Sequence, residues 1–222
     1  MMSPELRRVY VWEFPVRLFH WINVLCLFTL AGTGLLIGSP LALMNSGEAW
    51  AGYWFGWLRF IHFTAAYLLL ANLLLRLYWA WAGNPYARWK EYLPVTGQDW
   101  RDLVKTLRVY LLIDRWPGDA RAGHNRLQGL TYLAITVLTF FMVFTGFGMY
   151  SAMSAAWIPK AFAWVVPLMG GDLVVRRWHH MALWAFVVFL VIHIYLDILN
   201  DRQDRQGLFS SIITGWKVVA KR

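Results

Sequence analysis

The sequence is poor in the residues from which soluble surfaces and most metal sites are built. Cys26 is its only cysteine, which excludes an intrachain disulfide, a cysteine-ligated cluster and a CxxCH attachment motif. Charged residues make up 15% of the chain, against about 25% in ordinary soluble domains. A soluble globular class is therefore excluded, and Cys26, which lies in an apolar run, is predicted to be a packing residue.

Long apolar runs dominate what is present. Of the 222 residues, 59% are hydrophobic, 18% are aromatic and fifteen are tryptophans. Because crossing a bilayer takes about 20 apolar residues, we predict spans at about 20–38, 58–82, 128–150 and 178–199. The first run is too long, and preceded by too much chain, for a secretory signal, so we interpret it as a retained span. With no repeat or linker, we predict one all-α membrane domain over residues 1–222, a four-transmembrane-helix bundle.

The basic residues predict the orientation. Sixteen of the 21 Lys and Arg lie in the N-terminal segment, the loop over 83–126 and the tail after Asn200. The positive-inside rule therefore predicts that both termini and this loop are cytoplasmic. The net charge of +9 expresses this bias and contact with anionic headgroups, and no nucleic-acid partner is expected.

The loops between the spans are predicted to follow the membrane surface. Apolar residues recur at helical spacing in the cytoplasmic loop, which predicts a surface helix: Trp100, Leu103, Val104, Leu107 and Leu111. The loop over 39–57 is rich in Trp and Tyr, which favour the membrane–water interface. In the loop over 151–178 we expect a short surface segment broken by Pro159 and Pro167.

Histidines are unexpected in such apolar runs, and helix geometry separates them. His179 and His193 are fourteen residues apart, so they share a helix face and differ by about 21 Å in height. His180 and His193, thirteen apart, point to nearly opposite sides. His180 is therefore expected to face headgroups or water.

Two histidines of the other spans lie at matching depths. His62 matches His179 near the outer surface, and His20 matches His193 near the inner surface. Two such pairs suit two stacked haems with bis-imidazole ligation in a bundle core. No cluster of His, Cys, Asp and Glu offers the three or four ligands that zinc or copper needs. The alternative for any single histidine is a hydrogen-bonded residue at the interface.

Glycines in two of the spans allow a close approach of another group. Gly32, Gly34 and Gly38 lie in the first span, and Gly146 and Gly148 lie in the third. A flat macrocycle or the backbone of a neighbouring helix explains them equally well.

Several segments together resemble the cytochrome b subunit of membrane-bound nickel–iron hydrogenases. These are VYVWEFPVRLFHW, FIHFTAAYLLLANLLLRLYWAWAGN, GHNRLQGLTYL, FTGFGMYS and RRWHHMALWAF followed by HIYLDILND. The likeness runs in order from about residue 9 to the C-terminal tail. Arg126 departs from the pattern, in which a proline is expected after the asparagine.

The resemblance implies a multi-pass protein of the bacterial inner membrane with two haem b groups ligated by His20, His62, His179 and His193. It implies an iron–sulfur small subunit, and with it a hydrogenase large subunit, on the periplasmic face. Electrons from H2 would pass through both haems to a quinone near His193, Asn125 and His124. H2 cleavage itself would belong to the partner subunits, because this chain has no cysteine set for a nickel site.

Two alternatives remain open from the sequence. The same four-helix plan occurs in the cytochrome b subunits of formate dehydrogenase and of thiosulfate or polysulfide reductase, which would change the electron donor. A proton-relaying transporter subunit would also place histidines inside its spans.

Overall fold

The computed structural model describes residues 6–40, 52–116, 123–204 and 206–220. The chain divides into two compact units. The first unit comprises residues 1–19, 75–137 and 188–222, and the second comprises residues 20–74 and 138–187. The single membrane domain expected over residues 1–222 stays a prediction.

Four helices of the described part are long and apolar enough to cross a membrane. They are α1 (Phe14–Gly38), α2 (Trp54–Ala82), α4 (Arg126–Tyr150) and α7 (Asp172–Asp204). Their most apolar stretches have mean hydropathies of 1.6 to 2.3. The all-α class with four spans is therefore confirmed. Each helix begins two to six residues before the predicted span, and α7 also ends five residues beyond it.

Local signals explain where these helices begin and end. Pro15 lies in the first turn of α1, where a missing N–H costs nothing. Asn125 precedes α4 and exchanges hydrogen bonds with Gln128, its amide oxygen accepting from the Gln128 N–H at 2.8 Å. This reciprocal pair satisfies free N–H groups at the helix start. Gly170 and Gly171 turn the chain into α7 with φ of 92° and 109°.

The predicted surface helix is present as α3 (Gly97–Tyr110). It begins with a capping box in which Thr96 and Asp99 satisfy each other's backbone N–H groups. Leu103 is buried, whereas the other four apolar residues of the predicted stripe remain exposed: Trp100, Val104, Leu107 and Leu111. The face of α3 that packs against the protein is therefore not the face along which its apolar residues recur.

Smaller elements complete the chain. A 3-10 turn (Trp89–Glu91) precedes α3, and α5 (Trp157–Ala161) and α6 (Val165–Leu168) form short segments before α7. The short segment expected over 151–178 thus consists of two brief helices. Of the loop over 39–57, residues 41–51 lie outside the described residues.

The two ends of the described chain form a small sheet that the sequence did not predict. Strand β1 (Leu6–Tyr10) pairs antiparallel with β2 (Trp216–Ala220), which follows α8 (Leu208–Thr214). The register joins Arg8 to Val218 and Tyr10 to Trp216. Five-residue strands with so little alternation are not distinguishable from tails by periodicity alone.

Candidate cofactor site

Two of the predicted histidines, His62 of α2 and His179 of α7, lie in the second unit. They are close enough to interact electrostatically. Each ring is hydrogen-bonded by a threonine from another helix. Nδ1 of His62 lies 2.8 Å from Oγ1 of Thr33 in α1, and Nδ1 of His179 lies 2.8 Å from Oγ1 of Thr145 in α4. The pair predicted from depth is thus brought together.

The threonines determine which ring nitrogen carries the proton. Thr33 donates its hydroxyl hydrogen to the Thr29 carbonyl at 2.6 Å, and Thr145 donates to the Phe141 carbonyl at 2.7 Å. A hydroxyl has one hydrogen, so each threonine oxygen accepts from the imidazole. Nδ1 therefore bears the N–H in both rings, and the lone pair of Nε2 is available as a ligand.

Two of the glycines lie against these imidazoles. A Cβ added at Gly34 would stand 3.4 Å from Cε1 of His62, and one at Gly146 would stand 3.2 Å from Cε1 of His179. A side chain at Gly146 would therefore press on the ring. Of the other three glycines, Gly148 packs against the Phe162 carbonyl and Val165.

His180 does not share the environment of His179. Its Nδ1 would lie 3.6 Å from a Cβ at Gly38, and its ring makes an edge contact with Trp184 at 6.4 Å between centroids. The side chain is half-buried and lies near Gly38 at the end of α1. The expectation that it faces headgroups or water stays a prediction.

The His62–His179 site fits a haem. The imidazoles of His62 and His179 would supply two axial ligands, and haem brings its own four equatorial nitrogens. Among the described residues no three His, Cys, Asp or Glu side chains converge. The site thus matches a cofactor that needs only two protein ligands.

The predicted inner histidines are placed differently. His193, in the first unit, has Nε2 3.4 Å from a carboxylate oxygen of Asp197 and stacks on Phe189 at 5.3 Å. His20, in the second unit, lies at the edge of Trp21. The pairing of His20 with His193 stays a prediction.

His124 lies in an aromatic box in the first unit. Its ring centroid is 4.7 Å from that of Trp12, 5.4 Å from Tyr92 and 6.3 Å from Tyr132. The ring is partly accessible, but its Nδ1 is buried and has no hydrogen-bond partner among the described residues. Burial, followed by the charge of Lys217, lowers the pKa of His124 to about 3. The ring is therefore neutral at physiological pH, and it interacts electrostatically with His193.

Asn125, the other predicted quinone residue, has a structural role. Besides capping α4, its amide nitrogen donates to the hydroxyl of Tyr110 at 3.3 Å. That hydroxyl also lies 3.0 Å from the amide nitrogen of Asn200. An asparagine three residues before a glutamine is a sequence signal for such a cap, and it marks Asn125 as the start of a helix.

Two buried cations near His124 were not anticipated from the sequence. Arg76 donates to the Tyr92 hydroxyl at 2.5 Å and lies 5.5 Å from its ring centroid. Lys217 of β2 lies 5.4 Å from the Trp12 ring and donates to the Gly123 carbonyl at 3.4 Å. Burial raises the pKa of Tyr92, although Arg76 opposes this. Arg76 sits within an otherwise apolar run, which is the one signal that marked it.

Arg126, where a proline was expected, joins two helices. Its guanidinium lies 2.6 Å from the carboxylate of Asp99. Burial alone would raise the pKa of Asp99, but hydrogen bonds from Thr96 and the charge of Arg126 lower it. The first residue of α4 is thereby tied to the start of α3.

Four apolar helices long enough to cross a membrane, with two interacting histidines whose Nδ1 atoms are held by threonines, define a multi-pass membrane protein with a candidate cofactor site. Residues 11–215 match the model of the prokaryotic cytochrome b561 family, and the chain belongs to this family.

Similar proteins carry a common name, probable Ni/Fe-hydrogenase B-type cytochrome subunit. The protein from Cupriavidus necator is 40% identical over 96% of this chain and 88% of its own length. The one from Azotobacter vinelandii is 39% identical over 95% and 88%. Its counterpart for hydrogenase 1 of Escherichia coli is 33% identical over 94% and 90%. The resemblance inferred from the motifs is confirmed, and a b-type cytochrome implies haem b and membrane electron transfer.

Proposed function

We propose that this chain anchors a nickel–iron hydrogenase to the membrane and passes its electrons through two b haems to quinone. The names of the similar proteins support the hydrogenase as donor. The observation that carries the proposal is the pair of imidazoles, His62 and His179, each with Nδ1 held by a threonine and Nε2 free.

His62 and His179 hold one haem in this proposal. The haem supplies a one-electron Fe(III)/Fe(II) couple when it is bound. The chain contributes the two axial nitrogens, and Gly34 and Gly146 leave room beside the two rings.

His20 and His193 hold the second haem. For this role Nε2 of His193 must turn away from Asp197, which lies 3.4 Å from it. Asp197 is one turn further along α7, so the two side chains separate through rotation about their own bonds.

The quinone site lies at His124, His193 and Asn125. His124 is neutral and has an unpartnered Nδ1 among the described residues, so it is suited to hydrogen-bond a quinone oxygen. Lys217 adds a buried positive charge on the same side of the first unit. Reduction of the quinone by two electrons consumes two protons, and H2 oxidation in the partner subunits supplies the two electrons.

The distribution of charge supports the orientation. The protein lies in the bacterial inner membrane. Both termini and the loop over 83–126 are on its cytoplasmic side, because they hold most of the Lys and Arg. The iron–sulfur small subunit and the large subunit of the hydrogenase then dock on the periplasmic face, and His62 and His179 form the nearer haem site. All four spans belong to one membrane domain.

Purification of the chain with its partners from native membranes tests the function. We expect a reduced b-type α-band, reduction of that band by H2 in the complex, and formation of quinol when quinone is added. Preparations without any haem band would contradict the cytochrome and favour a transporter subunit. Reduction by formate but not H2 would contradict the donor alone.

A further inference from the structure

The two imidazoles of the His62–His179 site are bound in the same way by residues from different helices. Thr33 and Gly34 of α1 face His62, and Thr145 and Gly146 of α4 face His179. In each case the threonine binds Nδ1 and the next residue, a glycine, leaves room at Cε1. A Thr-Gly dipeptide is thus used twice.

Each threonine hydroxyl is a better acceptor than a free one. Its hydrogen is committed to a backbone carbonyl four residues earlier, at 2.6 Å for Thr33 and 2.7 Å for Thr145. In such a chain of hydrogen bonds each bond polarises the next. The imidazole N–H is therefore drawn toward the hydroxyl oxygen, and electron density on Nε2 increases.

We propose that Thr33 and Thr145 are positioning residues that fix the tautomer of both axial histidines and lower the reduction potential of the haem between them. The proposal rests on the haem ligation given under the proposed function. More electron donation from Nε2 stabilises Fe(III) over Fe(II). The glycines keep each ring in the orientation in which this donation occurs.

Valine variants test the hydroxyl, because valine keeps the shape of threonine and removes the hydrogen bond. T33V, T145V and the double variant are prepared in the full chain in its native membrane. We expect the midpoint potential of this haem to rise in each single variant and further in the double variant, with changed low-spin EPR g values. T33S and T145S should restore the wild-type values.

The matched control is T131V. Thr131 of α4 donates to the Leu127 carbonyl at 2.9 Å in the same manner, but it bonds no histidine among the described residues, so the potential should not move. Unchanged potential and EPR in the double valine variant would overturn the proposal. If valine causes loss of the haem, recovery with serine supports the hydroxyl's role, and failure of serine to restore it overturns that role.

Failure of the ligation itself is distinguishable from failure of this inference. If H62A and H179A retain the haem, the proposed ligands are wrong whatever the threonine variants do.

A second, independent feature is the exposed side of α3. Trp100, Val104, Leu107 and Leu111 follow one stripe, about 60° wide at 100° per residue, and each is 42% to 61% exposed. Arg101, Lys105 and Arg108 lie in a neighbouring arc, centred roughly 100° further round. The helix thus carries an apolar and a basic face side by side.

The position of α3 brings these faces to the ends of two spans. Asp99 pairs with Arg126, the first residue of α4, at 2.6 Å. Tyr110 donates to Asn200, near the end of α7, at 3.1 Å. Both ends of α3 are therefore attached where spans leave the apolar layer.

We infer that α3 lies in the interfacial layer of the bilayer, with its apolar stripe in the acyl-chain boundary and its basic arc at lipid phosphates. An exposed apolar stripe beside Lys and Arg is typical of interfacial helices. Anionic lipid complements the charge of the neighbouring arc.

Spin labels on the full chain in nanodiscs test the inference. Cys26 is only 1% exposed, so single labels can be placed through V104C and K105C. We expect the label at 104 to be more accessible to oxygen than to a water-soluble nickel chelate, the reverse at 105, and a larger difference with phosphatidylglycerol than with phosphatidylcholine.

Equal access of both labels to the nickel chelate would overturn the membrane contact. A label at 104 that neither reagent reaches would show a protein cover instead, which also overturns it. No dependence on lipid charge would overturn the contact of the basic arc with phosphates.

Discussion

The His62–His179 site and the region around His124 and His193 use histidine in opposite ways. The first is a sparse site in which each ring receives one hydroxyl and one glycine from apolar helices. The second is crowded: His124 lies among Trp12, Tyr92 and Tyr132, with Lys217 and Arg76 close enough to lower its pKa.

The difference shows what each environment can do. Under the proposed function, an imidazole whose Nδ1 is hydrogen-bonded presents its Nε2 to an iron atom that stays bound. Under the proposed function, the buried Nδ1 of His124, which has no hydrogen-bond partner among the described residues, would bond a quinone that binds and leaves. The variants below test whether this division holds.

The largest effect is expected from removing an axial ligand. Under the proposed function, H62A or H179A should lose the haem of this site, because one imidazole alone holds the iron weakly, and electron transfer to quinone should stop. Haem content and the EPR spectrum measure this.

H180A is the control for that experiment, since its ring contacts Gly38 rather than the paired imidazoles. It should retain both haems. Loss of a haem in H180A but not in H179A would show that the assignment of helix faces is wrong.

The sequence predicted the sparse site much better than the crowded one. Two histidines at equal depth on apolar helices follow from hydropathy and the 3.6-residue period alone. The contacts of Thr33 and Thr145 with the histidines could not be predicted from the sequence. A threonine in a span usually bonds its own helix, and both of these hydroxyls do so as well.

The crowded region depends on contacts between distant segments. Trp12, Tyr92, His124 and Lys217 come from four places in the chain. No local period relates them, so only the tertiary structure brings them together. His193 was predicted as a ligand, whereas the structure places the carboxylate of Asp197, four residues further along α7, 3.4 Å from its Nε2.

The next largest effect is expected at His124. H124F should reduce quinol formation by roughly 10²- to 10⁴-fold, the scale of losing a positioned proton-transfer group. Both haems should remain, and steady-state quinol formation with H2 as donor provides the measurement. H180F, the same substitution outside this region, should retain the wild-type rate. An equal loss of quinol formation in H124F and H180F would contradict a specific role of His124 at the quinone site.

A smaller effect is expected from deleting residues 216–222. The deletion removes β2 and Lys217 from Trp12, and each kcal/mol lost lowers the apparent Tm by about 2–4 °C in a chain of this size. The EPR signal of the His62–His179 haem should persist. Deleting 221–222 alone is the control, and loss of that haem signal on removing β2 would contradict the independence of the two sites.

The smallest effect concerns acid. The pKa of His124 is lowered to about 3 from an ordinary 6.5, so unfolding favours its protonation. Its contribution to stability is full above pH 6.5 and is lost as pH falls toward 3, by at most about 1.4 kcal/mol per pH unit.

Thermal unfolding of wild type and H124F between pH 7 and 4.5 measures this contribution. We expect a shallower loss of Tm in the variant. The pKa of Asp99 is lowered from an ordinary value near 4. Its contribution to stability is therefore lost only below that value and changes little between pH 7 and 4.5. Identical slopes would mean that His124 is not held neutral by its surroundings.

The pairing of β1 with β2 has a consequence for biosynthesis. Because the partner of Leu6–Tyr10 is Trp216–Ala220, the first strand to leave the ribosome waits for nearly the last one. Thr33, His62, Thr145 and His179 are all synthesised before that point. The residues around His62 and His179 are therefore all synthesised before Lys217, which completes the surroundings of His124.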